Sequence, residues 1–388
     1  MNDVIIFKPS EVLPSITQLA QLCSGKNLIK MLDSLRFETC TNGIMVTASD
    51  GETWMTLTLP MHHEITESAK FCVDAVKFTQ GLRALDGDAE TKLTLNNTSH
   101  IATFKYPQGH FELPFLDADE YPMASKEGIG ELSTLKLGDI SVLFNGINAT
   151  EFATDNDVLR PQMAGVHIDF VDEYDQQKVV FVATDTRKLV RYKVNANFDA
   201  SVSGKGFTLP KKPATLIANY INMNNGDLGE VEITFDDSKF SFHNDKIELS
   251  TRLAAGRYPN YNVVLPEYPN DKVAIVKRDD FVASLKRVAP FGNQKTQMVA
   301  LKFTLNEIQI TAQDIDYNTS ATEKFQCQYT GDDLEIGFPC GALIDVVKNV
   351  RCEDVKIKLI DVNRAGMIEP NVQADGTDYV SIQMPMML

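Results

Sequence analysis

The chain has 388 residues, of which 43% are hydrophobic and 23% charged, and its formal net charge is −16. Such a length exceeds one ordinary hydrophobic core and predicts two or three domains of a globular protein. The acidic balance argues against a surface coated in basic patches, although nucleic-acid binding stays open because it depends on where the cations cluster.

A strand–helix unit recurs along the chain. In most copies a short apolar run meets a helix start marked by Pro, Asp or Ser, and apolar residues then follow one helical stripe. The six copies occupy residues 5–22, 71–85, 135–150, 207–221, 274–289 and 336–350. A spacing of about sixty to seventy residues indicates internal repetition.

Segments of period-two alternation follow the helices. Residues 93–105, 231–243 and 355–368 predict antiparallel hairpins, so each unit is interpreted as βαβββ. Tyr-Pro pairs at residues 121–122 and 258–259 follow the first two hairpins in the same relative place. We therefore expect three similar domains, at residues 1–126, 127–260 and 261–388, joined by extended linkers.

The sequence carries no pattern typical of an enzyme. It lacks HExxH, GxSxG, P-loop and dinucleotide-binding motifs, and its six histidines are scattered. The six cysteines form no CxxC pair and are interpreted as reduced thiols. We expect no catalysis, no metal and no cofactor. A hydrolase using surface carboxylates would need convergent acids in a cleft, and no such cluster is evident.

Neither a membrane span nor a secretion signal is predicted. No apolar run is long enough to cross a bilayer, and the first residues lack a basic segment followed by a long apolar one. We expect a cytoplasmic protein without a membrane partner.

Cations recur at the predicted helices, including Lys77, Arg83, Lys211 and Lys212. A cation at a helix N-terminus is mildly unfavourable unless an external anion sits in front of it. If the helices share one face, these residues form a positive lining that holds phosphates without reading bases. The same spacing fits ordinary solvated helix faces equally well, and both readings stay open here.

The last residues of the chain are apolar. Ile382, Met384, Pro385, Met386 and Leu388 lie where chain ends are usually polar and frayed. This composition predicts a docked segment, or one that borders a groove accepting varied partners. The alternative is a final edge strand packed into its own domain.

Four motifs carry a resemblance. They are Ala183-Thr184-Asp185 with Leu189, GRYPNY at residues 256–261 with Leu265-Pro266, EIGF at residues 335–338, and Met384-Pro385-Met386 with Leu388. In this order, on a threefold repeat, the whole chain resembles the β subunits of bacterial DNA polymerase III, the replicative sliding clamps. The resemblance implies an α+β fold of three similar domains, each of two βαβββ units. It also implies a head-to-tail dimeric ring with helices lining the inside and antiparallel sheets outside.

The resemblance implies a non-catalytic processivity factor. The homodimeric ring would encircle double-stranded DNA and tether the polymerase III catalytic subunit, the clamp loader and repair polymerases through their short linear peptides. The positions that match DNA-facing residues of the family are Lys26, Lys77, Arg83, Arg160, Lys211 and Lys212. Those that match its ring-closure surface are Phe111, Leu113, Pro290 and Phe291.

The resemblance also implies a peptide groove between the second and third domains. Its matching residues are Met163, Thr184, Thr186, Arg187, Leu189, Pro259, Val263, Val264, Pro339, Ala342, Met384, Pro385, Met386 and Leu388. Lys188, Ala342 and Met387 depart from the usual family residues, which leaves the peptide preference open. The alternative from another class is a peptide-binding scaffold that uses the same groove without encircling DNA.

Overall fold

The computed structural model describes residues 3–23, 25, 27–41, 43–60, 68–124, 132–157, 159–265 and 272–388. The chain forms two compact units. The first unit comprises Met1–Lys136 and Met223–Leu253, and the second comprises Leu137–Asn222 and Ala254–Leu388. The predicted domain boundaries at residues 126 and 260 remain a prediction. No helix within the described ranges is long and apolar enough to cross a membrane.

Every predicted strand–helix unit is present in the structure. The helices of the described ranges are α1 Pro9–Ala20, α2 Ala75–Arg83, α3 Ser141–Thr150, α4 Lys211–Met223, α5 Arg278–Val288 and α6 Cys340–Lys348. Pro9 begins α1, where its missing N–H leaves no bond unmade. Asp74 caps α2 by accepting a hydrogen bond from the Lys77 amide at 2.8 Å. These local signals set where α1 and α2 begin.

The strands that surround the helices pair in antiparallel fashion, which confirms the α+β class. In chain order they are β1 Asp3–Phe7, β2 Ser34–Cys40, β3 Gly43–Ser49, β4 Thr53–Leu59, β5 Lys70–Asp74, β6 Thr91–Asn96, β7 Ile101–Tyr106, β8 Gly109–Leu116, β9 Ser133–Leu135, β10 Gly165–Glu173, β11 Gln176–Thr184, β12 Lys188–Asn195, β13 Gly206–Pro210, β14 Glu232–Phe235, β15 Lys239–His243, β16 Ile247–Arg252, β17 Val273–Lys277, β18 Met298–Thr304, β19 Glu307–Asp314, β20 Thr319–Gln326, β21 Leu334–Pro339, β22 Asp354–Lys358, β23 Gly366–Pro370 and β24 Thr377–Gln383.

The first unit contains one twelve-stranded sheet, in the order β1-β6-β7-β8-β5-β2-β3-β4-β16-β15-β14-β9. Two predicted hairpins appear in it as β6–β7 and β14–β15. Helices α1 and α2 pack against each other. Stacked aromatic rings, such as Phe37 and Phe71 at 5.0 Å, fill the space beneath them.

The second unit contains an eight-stranded sheet, β13-β10-β11-β12-β24-β23-β22-β17, and a four-stranded sheet, β20-β19-β18-β21. The third predicted hairpin is β22–β23. Strands β12 and β24 pair with Leu189 opposite Ile382, so the last strand lies beside a strand from the middle of the chain. Helix α3 packs on β11 and β12, and α5 packs on α6, β19 and β20. The motifs that carried the resemblance meet in this unit.

Candidate functional site

The motif between strands β11 and β12 forms a hydrogen-bonded turn. The Thr184 hydroxyl donates to the Lys188 carbonyl at 2.7 Å and accepts from the Thr186 amide at 3.1 Å. Asp185 Oδ1 accepts from the amides of Arg187 and Lys188 at 2.9 and 2.8 Å. The Lys188 ammonium lies 2.5 Å from Asp185 Oδ2, with its side chain 11% exposed. Lys188 therefore stabilises the turn internally, whereas Arg187 faces solvent.

The C-terminal segment is docked, as its apolar composition predicts. The Met384 amide donates to the Arg187 carbonyl at 2.8 Å, and the Met386 amide donates to the Gly337 carbonyl at 2.8 Å. A Cβ atom on Gly337 would lie 2.8 Å from the Met386 carbonyl oxygen and 3.1 Å from Leu388 Cδ2. The segment thus runs from the turn before β12 to strand β21, and the absence of a side chain at position 337 makes room for it.

The linker that follows strand β16, residues 253–265, lies against strand β10. The ring of Tyr258 stacks on the ring of His167 with centroids 4.3 Å apart and planes 3° from parallel. The Tyr261 hydroxyl donates to Asp169 Oδ2 at 2.9 Å. Both tyrosines join an apolar cluster with Leu189 and Ile382. The linker is therefore fastened beside the β12–β24 pair.

Burial and charge keep the two linker tyrosines neutral. Burial raises the pKa of Tyr258, and the neighbouring Asp169 carboxylate raises it further. The pKa of Tyr261 is raised by burial first, then by the charge of Asp169 and by the hydrogen bond to it. Neutral phenols suit the packed, weakly solvated position that both rings occupy.

The predicted groove residues of the second unit fall into three groups by exposure. The exposed ones include Val263 at 77% and Val264 at 48%. The others in this group are Thr186, Arg187, Pro259, Met384 and Leu388. The partly buried ones are Met163, Pro339, Ala342, Pro385 and Met386. Leu189, 5% exposed, and Thr184 are buried. Exposed apolar side chains such as Val263 and Val264 are suited to contact an apolar ligand.

Main-chain contacts bring part of the predicted set together. Arg187, Leu189, Met384 and Met386 are joined through the β12–β24 pair and the docked segment. Met163 follows Gln162, whose side chain comes within 4.0 Å of the position a Cβ on Gly256 would take. The short turn Pro161–Met163 therefore neighbours the linker.

Sequence reasoning missed the residues that fasten the linker: His167 and Asp169. Their signal was a His-x-Asp spacing on a strand, which places both side chains on one face. A second signal was the repeated tyrosine in YPNY. Neither signal identifies its partner, because the contacts join segments far apart in the chain.

The predicted DNA-facing cations are mostly exposed. In the first unit, Lys77 and Arg83 lie on α2 and both face solvent. Lys26 lies outside the described residues. In the second unit, Lys211 and Lys212 begin α4 and are partly buried.

Arg160, the remaining predicted DNA contact, is exposed and lies 3.2 Å from Asp157. The Leu159 amide and the Arg160 guanidinium hold the pKa of Asp157 below its usual value. A phosphate approaching Arg160 would therefore compete with an internal carboxylate.

The predicted ring-closure residues differ in accessibility. Phe111 stacks on Phe104 at 4.7 Å, and Leu113 is only 8% exposed. Pro290 is exposed, and Phe291 is 45% exposed with its carbonyl accepting a hydrogen bond from Thr319 at 3.2 Å. Thr319 begins β20, the end strand of the four-stranded sheet. An edge strand beside exposed apolar residues is open to pairing.

Metal binding and thiol chemistry find no support in the described ranges. No group of three His, Cys, Asp or Glu side chains converges there on a metal site. No disulfide joins the cysteines of this part. Burial raises the pKa of Cys72 to about 12 and that of Cys340 to about 11. These thiols stay neutral, and thus unreactive, at ordinary pH.

Sequence models of one family match the chain in three consecutive segments. The N-terminal, central and C-terminal domains of the DNA polymerase III beta subunit match residues 5–125, 139–260 and 262–386. A beta sliding clamp from Proteus mirabilis is 26% identical over 385 residues, which covers 99% of each chain. A beta sliding clamp from Vibrio cholerae is 23% identical over 371 residues, 96% of each chain.

Solved structures share the fold along the same length. The DNA polymerase III subunit beta from Bartonella birtlesii, bound to griselimycin, is similar with a TM-score of 0.86 at 22% identity. The beta subunit from Thermotoga maritima is similar with a TM-score of 0.83 at 22% identity. Each comparison covers 99% of both chains.

Proposed function

This chain belongs to the family of DNA polymerase III beta subunits, whose curated members are named beta sliding clamps, and we propose that it encircles duplex DNA as a head-to-tail dimer. The family is a non-catalytic processivity factor of DNA replication rather than an enzyme. The observation that carries the proposal is the match of all three family domains, in order, along nearly the whole chain.

DNA would be held through its phosphates. Lys77, Arg83, Lys211 and Lys212 lie on or at the start of helices, and Lys26 and Arg160 complete the set proposed to face the duplex. A closed ring keeps its DNA by topology, so weak and mobile phosphate contacts are sufficient. The net charge of −16 discourages binding of DNA to the remaining surface.

Ring closure would join the first predicted domain of one chain to the third of its partner. The exposed Pro290 and Phe291 and the edge strand β20 supply one side of this proposed interface. Phe111 and Leu113, on strand β8, supply the other side. An edge strand open to pairing, such as β20, together with burial of aromatic rings is a common basis for such a contact.

Partner proteins would bind as extended apolar peptides beside Leu189, Val263 and Val264. The docked C-terminal segment provides Met384, whose flexible thioether suits varied partners. We propose the polymerase III catalytic subunit, the clamp loader and repair polymerases as these partners. Two of the structural relatives are bound to griselimycin, and we propose this compound as a probe of the groove in this chain.

Retention on DNA tests the encircling function. The protein, loaded by its clamp loader onto a nicked circular plasmid, should co-elute with the plasmid in gel filtration and leave it once the circle is cut. Retention that persists after cutting would contradict encirclement. Dissociation before cutting would favour a scaffold that does not enclose DNA.

Charge reversal tests the proposed lining. Glu at positions 211 and 212 should shorten the residence on circular DNA, because phosphate contacts are replaced by repulsion. The matched control places Glu at Lys246 and Lys302, which are exposed and lie outside the helices. Equal residence times for the two double variants would count against the lining.

Reversal of an apolar surface tests the dimer. Phe291→Glu introduces a charge at the proposed interface and should yield monomers in sedimentation, because burying an unpaired charge is costly. Tyr174→Glu, at an exposed turn elsewhere, is the control. A dimeric Phe291→Glu variant would show that the ring closes through other residues.

A further inference from the structure

A closed network of side chains lies beneath the linker that borders the proposed groove. His167 Nε2 lies 3.0 Å from Asp169 Oδ1, and His167 Nδ1 lies 3.0 Å from the Thr208 hydroxyl. The second carboxylate oxygen of Asp169 accepts the Tyr261 hydroxyl, while Tyr258 stacks on the imidazole. Each polar atom of the His–Asp pair therefore has a partner, and the linker supplies one of these partners, Tyr261, together with the stacked ring of Tyr258.

The strand next to this network leaves room for it. Gly206 on β13 lies opposite Asp169 on β10. A Cβ atom on Gly206 would lie 2.0 Å from Asp169 Oδ1. The carboxylate thus occupies the place of a missing side chain, which fixes its orientation toward the imidazole and the linker.

The first unit contains the same construction. Arg36 Nη1 lies 2.7 Å from Glu38 Oε2, and Arg36 Nε donates to the Ala118 carbonyl at 3.2 Å. Ala118 lies shortly before the buried Tyr121, the first tyrosine of the repeated Tyr-Pro pair. Arg36, paired with a carboxylate next but one on the same strand, thus contacts the linker of the first unit.

The register of the strands shows that the two pairs are equivalent. Arg36 pairs with Thr47 on β3, and His167 pairs with Val182 on β11. Thr47 lies two residues before Ser49, and Val182 lies two residues before Thr184. Ser49 and Thr184 are each the first residue of a turn.

The turns themselves have the same hydrogen bonds. Ser49 Oγ accepts from the Gly51 amide at 2.9 Å, as the Thr184 hydroxyl does from the Thr186 amide. Asp50 Oδ1 accepts from the amides of Glu52 and Thr53 at 3.2 and 2.9 Å, as Asp185 does one repeat later.

One difference separates the two constructions. Arg36 contacts the main chain of its linker, whereas His167 and Asp169 contact the two aromatic side chains of theirs. The ring of Tyr258 and the hydroxyl of Tyr261 both precede the exposed Val263 and Val264 in the chain. Tyr261 and both valines belong to one short turn, Tyr261–Val264, so the hydrogen bond from Tyr261 to Asp169 ties this turn to strand β10.

We propose that His167 and Asp169 are positioning residues of the peptide groove: they hold the linker so that Val263 and Val264 stand ready beside Leu189. The inference rests on the proposed function and adds residues that touch no peptide themselves. If the linker is already held in place before binding, the ligand does not have to pay the entropy cost of ordering it. Loss of the His–Asp contacts adds that cost and therefore weakens affinity. Loss of either residue is expected to weaken griselimycin binding about tenfold.

Calorimetric titration of the full-length dimer with griselimycin tests the proposal. His167→Leu and Asp169→Ala should each bind about tenfold more weakly than the unaltered chain. His167→Arg, which copies Arg36 in the other repeat, should restore affinity to within about threefold by pairing again with Asp169. Arg36→Leu, the same type of change in the first unit, is the control and should leave griselimycin binding unchanged.

Retention on circular DNA and the thermal unfolding midpoint distinguish positioning from general damage. The proposal requires weaker griselimycin binding in variants that still load onto nicked circles, and rescue by Arg at position 167. His167→Phe, which keeps a ring for Tyr258, replaces His167→Leu if that variant does not fold, and should bind at an intermediate level. The proposal would be overturned if the folded variants bind griselimycin as tightly as the unaltered chain, or if His167→Arg does not restore binding.

A groove variant separates this proposal from the proposed function. Leu189→Glu places a charge in the buried floor of the groove and should abolish griselimycin binding. If Leu189→Glu abolishes binding while His167→Leu has no effect, the groove stands and the positioning role falls. If Leu189→Glu has no effect, or the unaltered chain binds no griselimycin, the groove itself is wrong and both proposals fall.

Discussion

The hydroxyl of Tyr261 donates to the carboxylate of Asp169 at 2.9 Å, although 92 residues separate them in the chain. Tyr258, three positions earlier, is buried by the same strand, but its hydroxyl has no hydrogen-bond partner among the described residues. Two tyrosines of one motif thus contribute differently: one through its hydroxyl, the other through its ring.

Removing each hydroxyl should separate these contributions. Tyr261→Phe should lower the free energy of unfolding by about 1.5–3 kcal/mol, because it removes a hydrogen bond to a charged group. Tyr258→Phe should leave it unchanged or raise it by about 1 kcal/mol, because an unpaired buried hydroxyl is lost. Urea unfolding of both variants provides the comparison. A larger loss for Tyr258→Phe would show that its hydroxyl has a partner in solution.

A methyl group at position 337 should displace the C-terminal segment. The Cβ of Gly337→Ala would lie 2.8 Å from the Met386 carbonyl oxygen, a distance that main-chain atoms do not tolerate. We expect griselimycin to bind about tenfold more weakly, because the segment bearing Met384 would shift. Titration calorimetry measures the change.

Gly341→Ala is the matched control for that substitution. Position 341 lies in α6, where the nearest atom to an added Cβ is a side-chain oxygen 3.9 Å away. Griselimycin binding should stay unchanged, and helix propensity should stabilise the protein by up to about 1 kcal/mol. Equal weakening by both alanines would show that the contact at position 337 is not what lowers the affinity for griselimycin.

Glycine at position 186 should make the protein more stable. It is an exposed β-branched residue with φ of +72°, a conformation that costs such residues about 1–2 kcal/mol. The equivalent position of the first unit is Gly51, with φ of +91°. Thr186→Gly should raise the free energy of unfolding by about 0.5–1 kcal/mol, after the added freedom of the unfolded chain is subtracted. A lower urea midpoint would show that Thr186 makes compensating contacts.

Acid should weaken the first unit through Glu38. Burial opposes the charge of Glu38, but hydrogen bonds from Lys70 and Arg36 outweigh it and hold its pKa below the ordinary 4.5. A lowered folded-state pKa stabilises the protein above the unfolded-state pKa, and this stabilisation is lost as the pH falls through the folded-state value. Glu38→Gln should therefore be less stable than the unaltered chain near neutral pH.

The difference in stability should shrink as the pH falls below about 4.5. Urea unfolding of both proteins across this range checks the sign. Glu52→Gln, at an exposed position, is the control. A difference in stability that stays constant with pH would show that the stabilisation by Glu38 does not depend on its charge.

The sequence alone determined the local units. Every strand–helix unit and all three hairpins were predicted, because the periods of 3.6 and 2 residues are properties of a short segment. The apolar tail predicted a docked end because isolated apolar residues at a terminus are unfavourable in water. Lys188 differs from the usual family residue, and the structure shows why lysine is suited to this position: its ammonium pairs with Asp185.

Only the tertiary structure decided which segments meet. The pairing of β12 with β24, the stacking of Tyr258 on His167 and the seat of Met386 against Gly337 join residues that no local pattern relates. Each of these contacts joins segments that the sheets of the second unit bring together. The hydrophobic periodicity of a helix or strand is contained within about a dozen residues, whereas the segment that packs against it depends on the folding of the rest of the chain.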